Sequence, residues 1–220
     1  MRSSDYPSRD SLFGETPLES IIGESLESPC HQLFADASRS LGAGDDQRAQ
    51  NILHAIALMP RIESRYQLEA WHFYRLLGGR PIPELAKLVL GVIVEVGIDN
   101  GDDLLAVYAD RTAHYHNHAG TGVVWKRPND SLDGLIDSVL QTAANIVNRI
   151  GPWQGIRRPP PRQDHMRLNI LTPSGLHFGE GPFDQLQRDG LAKPLVSAAT
   201  NVMAKLTTMA FGPLDAFPSN

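Results

Sequence analysis

Residues 88–109, LVLGVIVEVGIDNGDDLLAVYA, decide the fold that the sequence predicts. The stretch opens with a run of valine, leucine and isoleucine over 88–96, which is typical of a strand. Asn100 and Gly101 follow, and Asn-Gly is the dipeptide that most strongly indicates a tight hairpin turn. The apolar run 104–109 then forms the second strand of the hairpin, which pairs with the first strand. The stretch therefore predicts two neighbouring antiparallel strands.

Two shorter strands, 112–118 and 121–126, are predicted after this hairpin, because turn residues bound each of them. Four strands in succession form an antiparallel β-meander. A second hairpin is predicted farther along the chain, with strands at 166–171 and 176–179. Its turn, Thr172-Pro173-Ser174-Gly175, is rich in residues that favour turns.

Helical periodicity flanks the strands on both sides. Apolar residues recur at spacings of three and four over a long helix from Asp130 to Gly151 and over a C-terminal helix from Pro194 to Met209. Each of these two helices has one apolar face that must be buried. Before the meander, the sequence predicts shorter helices at 16–25, 28–42, 46–59 and 63–77.

We therefore predict an α+β fold: an antiparallel β-meander plus a second hairpin, packed on one face by the long helix and the C-terminal helix, and preceded by a small helical section. An antiparallel sheet that is covered on one face leaves the other face free for a partner. The residues expected on that free face are Glu95, Ala106, Tyr108, Tyr115, Asn117 and Lys126.

The predicted organisation has four parts. Residues 1–15 carry few apolar side chains and are expected to form a mobile tail. A helical N-terminal section follows over 16–80, and the α+β domain occupies 81–212. Residues 213–220 are expected to form a C-terminal tail.

Composition excludes several classes of function. The net charge is −5, so the chain has no broad positive field that would hold the phosphates of a nucleic acid. No apolar run approaches the about 20 residues of a membrane helix, and the first residues lack the apolar segment of a secretory signal. Cys30 is the single cysteine, so neither an internal disulfide nor a thiolate zinc site can form. We expect a cytoplasmic protein without a cofactor.

Three histidines alternate in the stretch AHYHNHAG, at His114, His116 and His118. Alternate residues of a strand share a face and lie roughly 6.6 Å apart, so neighbouring imidazoles can bind one metal ion. A third ligand would have to come from elsewhere, and His177 and Glu180 are the candidates. These two residues also have the types needed for an acid and a base.

The same histidines also fit a structural role. If the turns of the meander are two-residue turns, His114 and His116 share a face with Val94 and Val107, which is the predicted core. A buried neutral histidine that is hydrogen-bonded is satisfied without a metal. The spacing does not decide between the two interpretations.

An arginine- and proline-rich stretch, Arg157-Arg158-Pro159-Pro160-Pro161-Arg162, joins the long helix to the second hairpin. Its composition is typical of polyproline II ligands with basic flanks, and also of stiff spacers. We favour the spacer. The candidate partner-binding residues are Tyr108, Tyr115, Asn117, Arg157, Arg158 and Arg162.

The function expected from these observations is a non-catalytic cytoplasmic binding or adaptor protein with a protein as its candidate partner. The alternative is a metal-dependent or acid–base enzyme centred on His114, His116, His177 and Glu180. The substrate, the partner and the oligomeric state do not follow from the sequence.

Overall fold

Six strands form an antiparallel sheet in the computed structural model, which describes residues 7–24, 29–99 and 101–211. The spatial order of the strands is β4-β3-β2-β1-β5-β6, so the predicted meander lies beside the predicted second hairpin. Asn100, on which the first turn was predicted, lies outside the described residues. The strands are β1 (Gly91–Ile98), β2 (Gly101–Tyr108), β3 (Ala113–His116), β4 (Gly122–Trp125), β5 (His165–Thr172) and β6 (Gly175–Pro182).

The described residues also form helices before, between and after the strands. The α+β class is confirmed. No helix in this part of the chain is both long and apolar enough to cross a lipid bilayer. The helices are α1 (Arg9–Phe13), α2 (Leu18–Glu24), α3 (Pro29–Gly42), α4 (Asp46–Ala57), α5 (Ser64–Leu76), α6 (Pro83–Ala86), α7 (Asp133–Val147), α8 (Phe183–Leu186) and α9 (Lys193–Phe211).

The long helix α7 and the C-terminal helix α9 cover one face of the sheet, as predicted. Val94 and Leu168 of the sheet face this core, and Val139 of α7 and Val202 of α9 are fully buried in it. Burial of a branched side chain of this size stabilises the fold by about 1.5 to 3 kcal/mol. We call this side of the sheet the C-terminal face.

The opposite side, the N-terminal face, is covered by α1 to α5, so the prediction of a free face is wrong. Ile93, Ala106 and Leu171 of the sheet are buried there against Leu53 of α4 and Trp71 of α5. Almost every residue of β1 is buried, on both faces. A strand that is apolar at consecutive positions, without alternation, is typical of a sheet covered on both sides.

The predicted N-terminal tail is partly a helix. Ser8 caps α1 by accepting a hydrogen bond from the Ser11 N–H, and Gly14 ends the helix in the left-handed conformation with φ 67°. Leu12 and Phe13 are buried in the core of the N-terminal face. Residues 1–6 and the predicted tail 213–220 lie outside the described residues.

The side chains of β3 lie on the opposite faces of the sheet from those predicted. The prediction assumed a two-residue turn at Asp110-Arg111, but the loop spans 109–112 and its Arg111 has a φ of 67°. Val107 therefore pairs with Ala113, not with His114. A shift of one residue in register moves every side chain of a strand to the other face. Tyr115 thus faces α7 and α9, and the histidines face the N-terminal helices.

Candidate functional site

His114 lies on β3 on the N-terminal face and is only 5% exposed. Its ring and the Tyr108 ring form a T-shaped contact, with 5.9 Å between the centroids. Burial, followed by the positive charges of Arg65, His116 and Lys126, lowers the pKa of His114 to about 3. The imidazole is therefore neutral at physiological pH.

The exposed part of His114 belongs to the wall of a cleft of about 500 Å³. The cleft opens where the start of α5 meets the ends of β2, β3 and β4. We call it the His114 cleft. It is lined by Arg61, Ile62, Glu63, Arg65, Asp110, Thr112, His114, Lys126 and Arg127.

Asp110 holds the two sides of the His114 cleft together. Its Oδ2 accepts a hydrogen bond of 2.7 Å from the Ser64 N–H at the start of α5. In return, the Asp110 N–H donates a hydrogen bond of 3.0 Å to the Ser64 hydroxyl. The Asp110 Oδ1 accepts from both the N–H and the hydroxyl of Thr112. One carboxylate oxygen of Asp110 thus binds the start of α5, and the other fixes the loop itself.

Positive charge exceeds negative charge in the cleft. Four cationic side chains line it, against the carboxylates of Glu63 and Asp110. Arg65 donates to Glu63 at 2.6 Å, and Arg127 donates to Asp133 at 2.7 Å. The two remaining cations, Arg61 and Lys126, are exposed and form no ion pair with any residue that the structure describes.

The backbone is unusual at the rim of the cleft. Arg61 has a φ of 62° and Arg127 a φ of 51°, which places both in the left-handed region. Residues other than glycine adopt this region rarely, at a cost of order 1 kcal/mol, and such residues cluster at functional sites. The two arginines are held in this conformation on opposite sides of the cleft.

The cationic side chains that line the His114 cleft have the chemistry needed to contact an anion. Exposed guanidinium and ammonium groups donate hydrogen bonds and attract negative charge. An imidazole with a pKa of about 3 is a weak base, and at pH 7 it is not protonated and cannot act as a general acid. The lining residues therefore suit binding better than proton transfer.

The predicted metal ligands lie in two separate places. His114 and His116 are on β3, whereas His177 and Glu180 are on β6, four strand positions away in the sheet. Neighbouring strands are about 4.8 Å apart, so roughly 19 Å separates the two pairs. Within the described ranges, no group of three or more His, Cys, Asp or Glu residues has the arrangement of a metal site.

His177 and Glu180 are also on opposite faces of the sheet. His177 pairs with Ile170 on the C-terminal face, where burial lowers its pKa and Ser174 Oγ lies 3.4 Å from its Nε2. Glu180 lies on the N-terminal face and accepts hydrogen bonds of 3.0 and 2.8 Å from Arg167. An acid–base pair of these two residues does not form.

The predicted contact residues of the meander lie apart from one another. Tyr108 is fully buried on the N-terminal face and donates a hydrogen bond of 2.7 Å to the Leu12 carbonyl. Tyr115 is buried on the C-terminal face and donates to Asp103. Asn117 accepts two backbone N–H groups in the turn between β3 and β4. All three side chains support the fold.

The arginine- and proline-rich stretch packs against the domain, so its first arginine is not available to a partner. The Arg157 side chain is 12% exposed, forms ion pairs with Asp10 and Glu15, and lies 4.4 Å from the centre of the Phe13 ring. Arg162 is exposed and contacts His165. The stretch therefore fastens α1 to the sheet.

Arg158 is exposed as well, with 52% of its side chain accessible. Its guanidinium lies 5.3 Å from the Trp153 ring and 5.4 Å from the Phe178 ring, at the outer edge of the sheet. Glu180 lies 3.9 Å from it.

Sequence reasoning missed Arg61, Arg65 and Lys126 as a group. They come from two segments about sixty residues apart, and no spacing rule connects a loop before a helix with the end of an edge strand. The signal that was present is weaker: basic residues concentrated in two short segments of a chain whose net charge is −5.

Comparisons of the chain with models of known protein families, with curated proteins and with solved structures found no match.

Proposed function

We propose that this protein is a non-catalytic cytoplasmic binding protein that takes up a small organic or inorganic anion, carrying a carboxylate or a phosphate, in the His114 cleft. The observation that carries the proposal is the pair of exposed cations, Arg61 and Lys126, without an ion-pair partner in the described part of the chain. A concave site with unpaired positive charge attracts anions, because the cleft concentrates the field of its cations.

The floor of the cleft supports an anion as well. Arg65 lies below the surface, and its Nε is buried without a hydrogen-bond partner in the described ranges. The lowered pKa of His114 has the charges of Arg65 and Lys126 among its causes, after burial. An anion would offset that positive potential.

The enzyme alternative has less support. Its four residues are distributed over two ends of the sheet, and Glu180 is held by Arg167. The cytoplasmic location rests on the single cysteine, Cys30, which is buried and needs no oxidising compartment.

Titration calorimetry at low salt, with inorganic phosphate and with succinate as separate ligands, tests the proposal. We expect at least one of them to bind at one site per chain. Lys126→Gln and Arg61→Gln should each weaken binding about fivefold, since an exposed charge near an anion contributes about 1 kcal/mol. The matched control is Lys205→Gln, which removes the same charge from an exposed position on α9.

Two results would contradict the proposal. One is the absence of binding by both anions. The other is equal weakening by Lys205→Gln and Lys126→Gln, because the attraction would then be a property of the net charge and not of the His114 cleft.

A further inference from the structure

The outer edge of β6 carries backbone groups that face away from the sheet. The Leu90 N–H donates to the Leu171 carbonyl, so Leu171 directs its backbone groups toward β1. Leu176 pairs with Leu171 across β5 and β6 and therefore directs its own groups outward, where the Trp153 N–H reaches its carbonyl at 2.6 Å. Because the orientation alternates along a strand, Phe178 and Glu180 also direct theirs outward.

These outward groups are open. The backbone N–H and carbonyl groups that Phe178 and Glu180 direct outward have no hydrogen-bond partner among the residues described. Gly179 between them is exposed, and a Cβ added there would meet no atom within 4 Å. An unpaired strand edge is a template for a strand from another chain.

We propose that two copies of this chain associate by antiparallel pairing of their β6 edges, about a twofold axis at Gly179. Phe178 then pairs with Glu180 of the partner subunit, and Glu180 pairs with the partner's Phe178. Each pair exchanges both of its backbone hydrogen bonds. The surface is self-complementary, as a twofold interface must be.

The residues that flank this segment of β6 limit the length of the pairing. The next outward residues are Leu176 and Pro182, which would lie opposite each other across the axis. The Leu176 carbonyl is already bonded to Trp153, and proline has no N–H to donate. The residues with open backbone groups, Phe178 and Glu180, are therefore the same residues that pair when the twofold axis lies at Gly179.

Charge favours the same register. Arg158 lies over Phe178, so the partner's Glu180, opposite Phe178, comes next to an exposed guanidinium. An axis at Glu180 would set the two Glu180 carboxylates directly opposite each other, which is destabilising. An axis at Phe178 would need the Leu176 carbonyl that Trp153 occupies.

The mass of the chain in solution is the first test, by light scattering over a series of concentrations. The chain has a mass of 24.2 kDa, and we expect a species of about twice that mass. Gly179→Lys should shift it to the monomer, because two ammonium groups would meet at the axis while each folded chain has room for the side chain. The matched control is Gly134→Lys, at an exposed glycine of α7 that also has no atom within 4 Å.

A cross-link is the second test, and it does not depend on weakening the association. Residues directly opposite at the axis have Cα atoms about 4.5 Å apart, within the range of a disulfide. Gly179→Cys should therefore form a covalent dimer on mild oxidation, and Gly134→Cys should not. The native Cys30 is buried and does not compete.

A wild-type chain that stays monomeric up to about 1 mM would overturn the proposal, since the free energy of association would then be weaker than about −4 kcal/mol. A dimer that persists in Gly179→Lys and forms no cross-link in Gly179→Cys would also overturn it, because the association would then use another surface.

Discussion

Replacing Leu12 with alanine removes a fully buried side chain from α1, a five-residue helix that the sequence did not predict. Leu12 packs in the core of the N-terminal face, and its carbonyl accepts the Tyr108 hydroxyl. Leucine-to-alanine changes in cores cost about 2 to 5 kcal/mol, because lost transfer free energy adds to the energy of the cavity. A short helix can move to fill part of the cavity, so we expect about 2 to 3 kcal/mol.

Urea denaturation measures this loss of unfolding free energy as a lower midpoint at an unchanged slope. In a thermal melt it corresponds to a fall of roughly 4 to 12 °C, at about 2 to 4 °C per kcal/mol for a chain of this size. Leu58→Ala is the control, since Leu58 is 48% exposed and the same change there should cost under about 0.5 kcal/mol. If Leu12→Ala were as mild as the control, α1 would not be docked on the sheet, and the account of the N-terminal face would fail.

Two further predictions concern pH. The pKa of His114 is lowered to about 3, so the folded state binds fewer protons than the unfolded state between about pH 6.5 and 3. The free energy of unfolding should therefore fall as the pH falls through that window. In urea titrations, His114→Gln should make this fall shallower by up to about 1.4 kcal/mol per pH unit. An equal dependence of unfolding free energy on pH in the two proteins would refute the burial of a neutral imidazole. The pKa of Glu69 has the opposite shift, raised to about 9 mainly by burial, so its contribution is lost as the pH rises from 4.5 to 9. Glu69→Gln, which imitates the protonated carboxyl, should be more stable than the wild type at pH 8 and gain no advantage at pH 4, as measured by thermal melts at the two pH values.

The sheet and its helices could be predicted because their signals are local. Each signal consists of residues that are close together in the sequence. Examples are the Asn-Gly dipeptide, the apolar run of β1 and the apolar positions of α7, which recur every three or four residues. The coverage of the second face was also encoded, since β1 is apolar at consecutive positions and not at alternate ones.

The candidate site could not be predicted in the same way. Its position depends on the length of the loop at 109–112, where one residue more or less decides which face receives His114. The opposite wall comes from the segment 61–65, which meets this loop through the hydrogen bonds between Asp110 and Ser64. Contacts between distant segments leave no periodic trace in a sequence.

The covering of the sheet on both faces also sets an order for folding during synthesis. Domains fold from the N-terminus as the chain leaves the ribosome. Helices α1 to α5 are made first, and strands β1 and β2 follow within about thirty residues, so most of the N-terminal core can assemble early. The C-terminal face is covered later and in two steps, since α7 begins about 25 residues after the end of β2 and α9 begins about 45 residues after the end of α7. Until α9 is made, part of the apolar C-terminal face of the nascent sheet is exposed to solvent, and transiently exposed apolar surface of this kind is what chaperones bind.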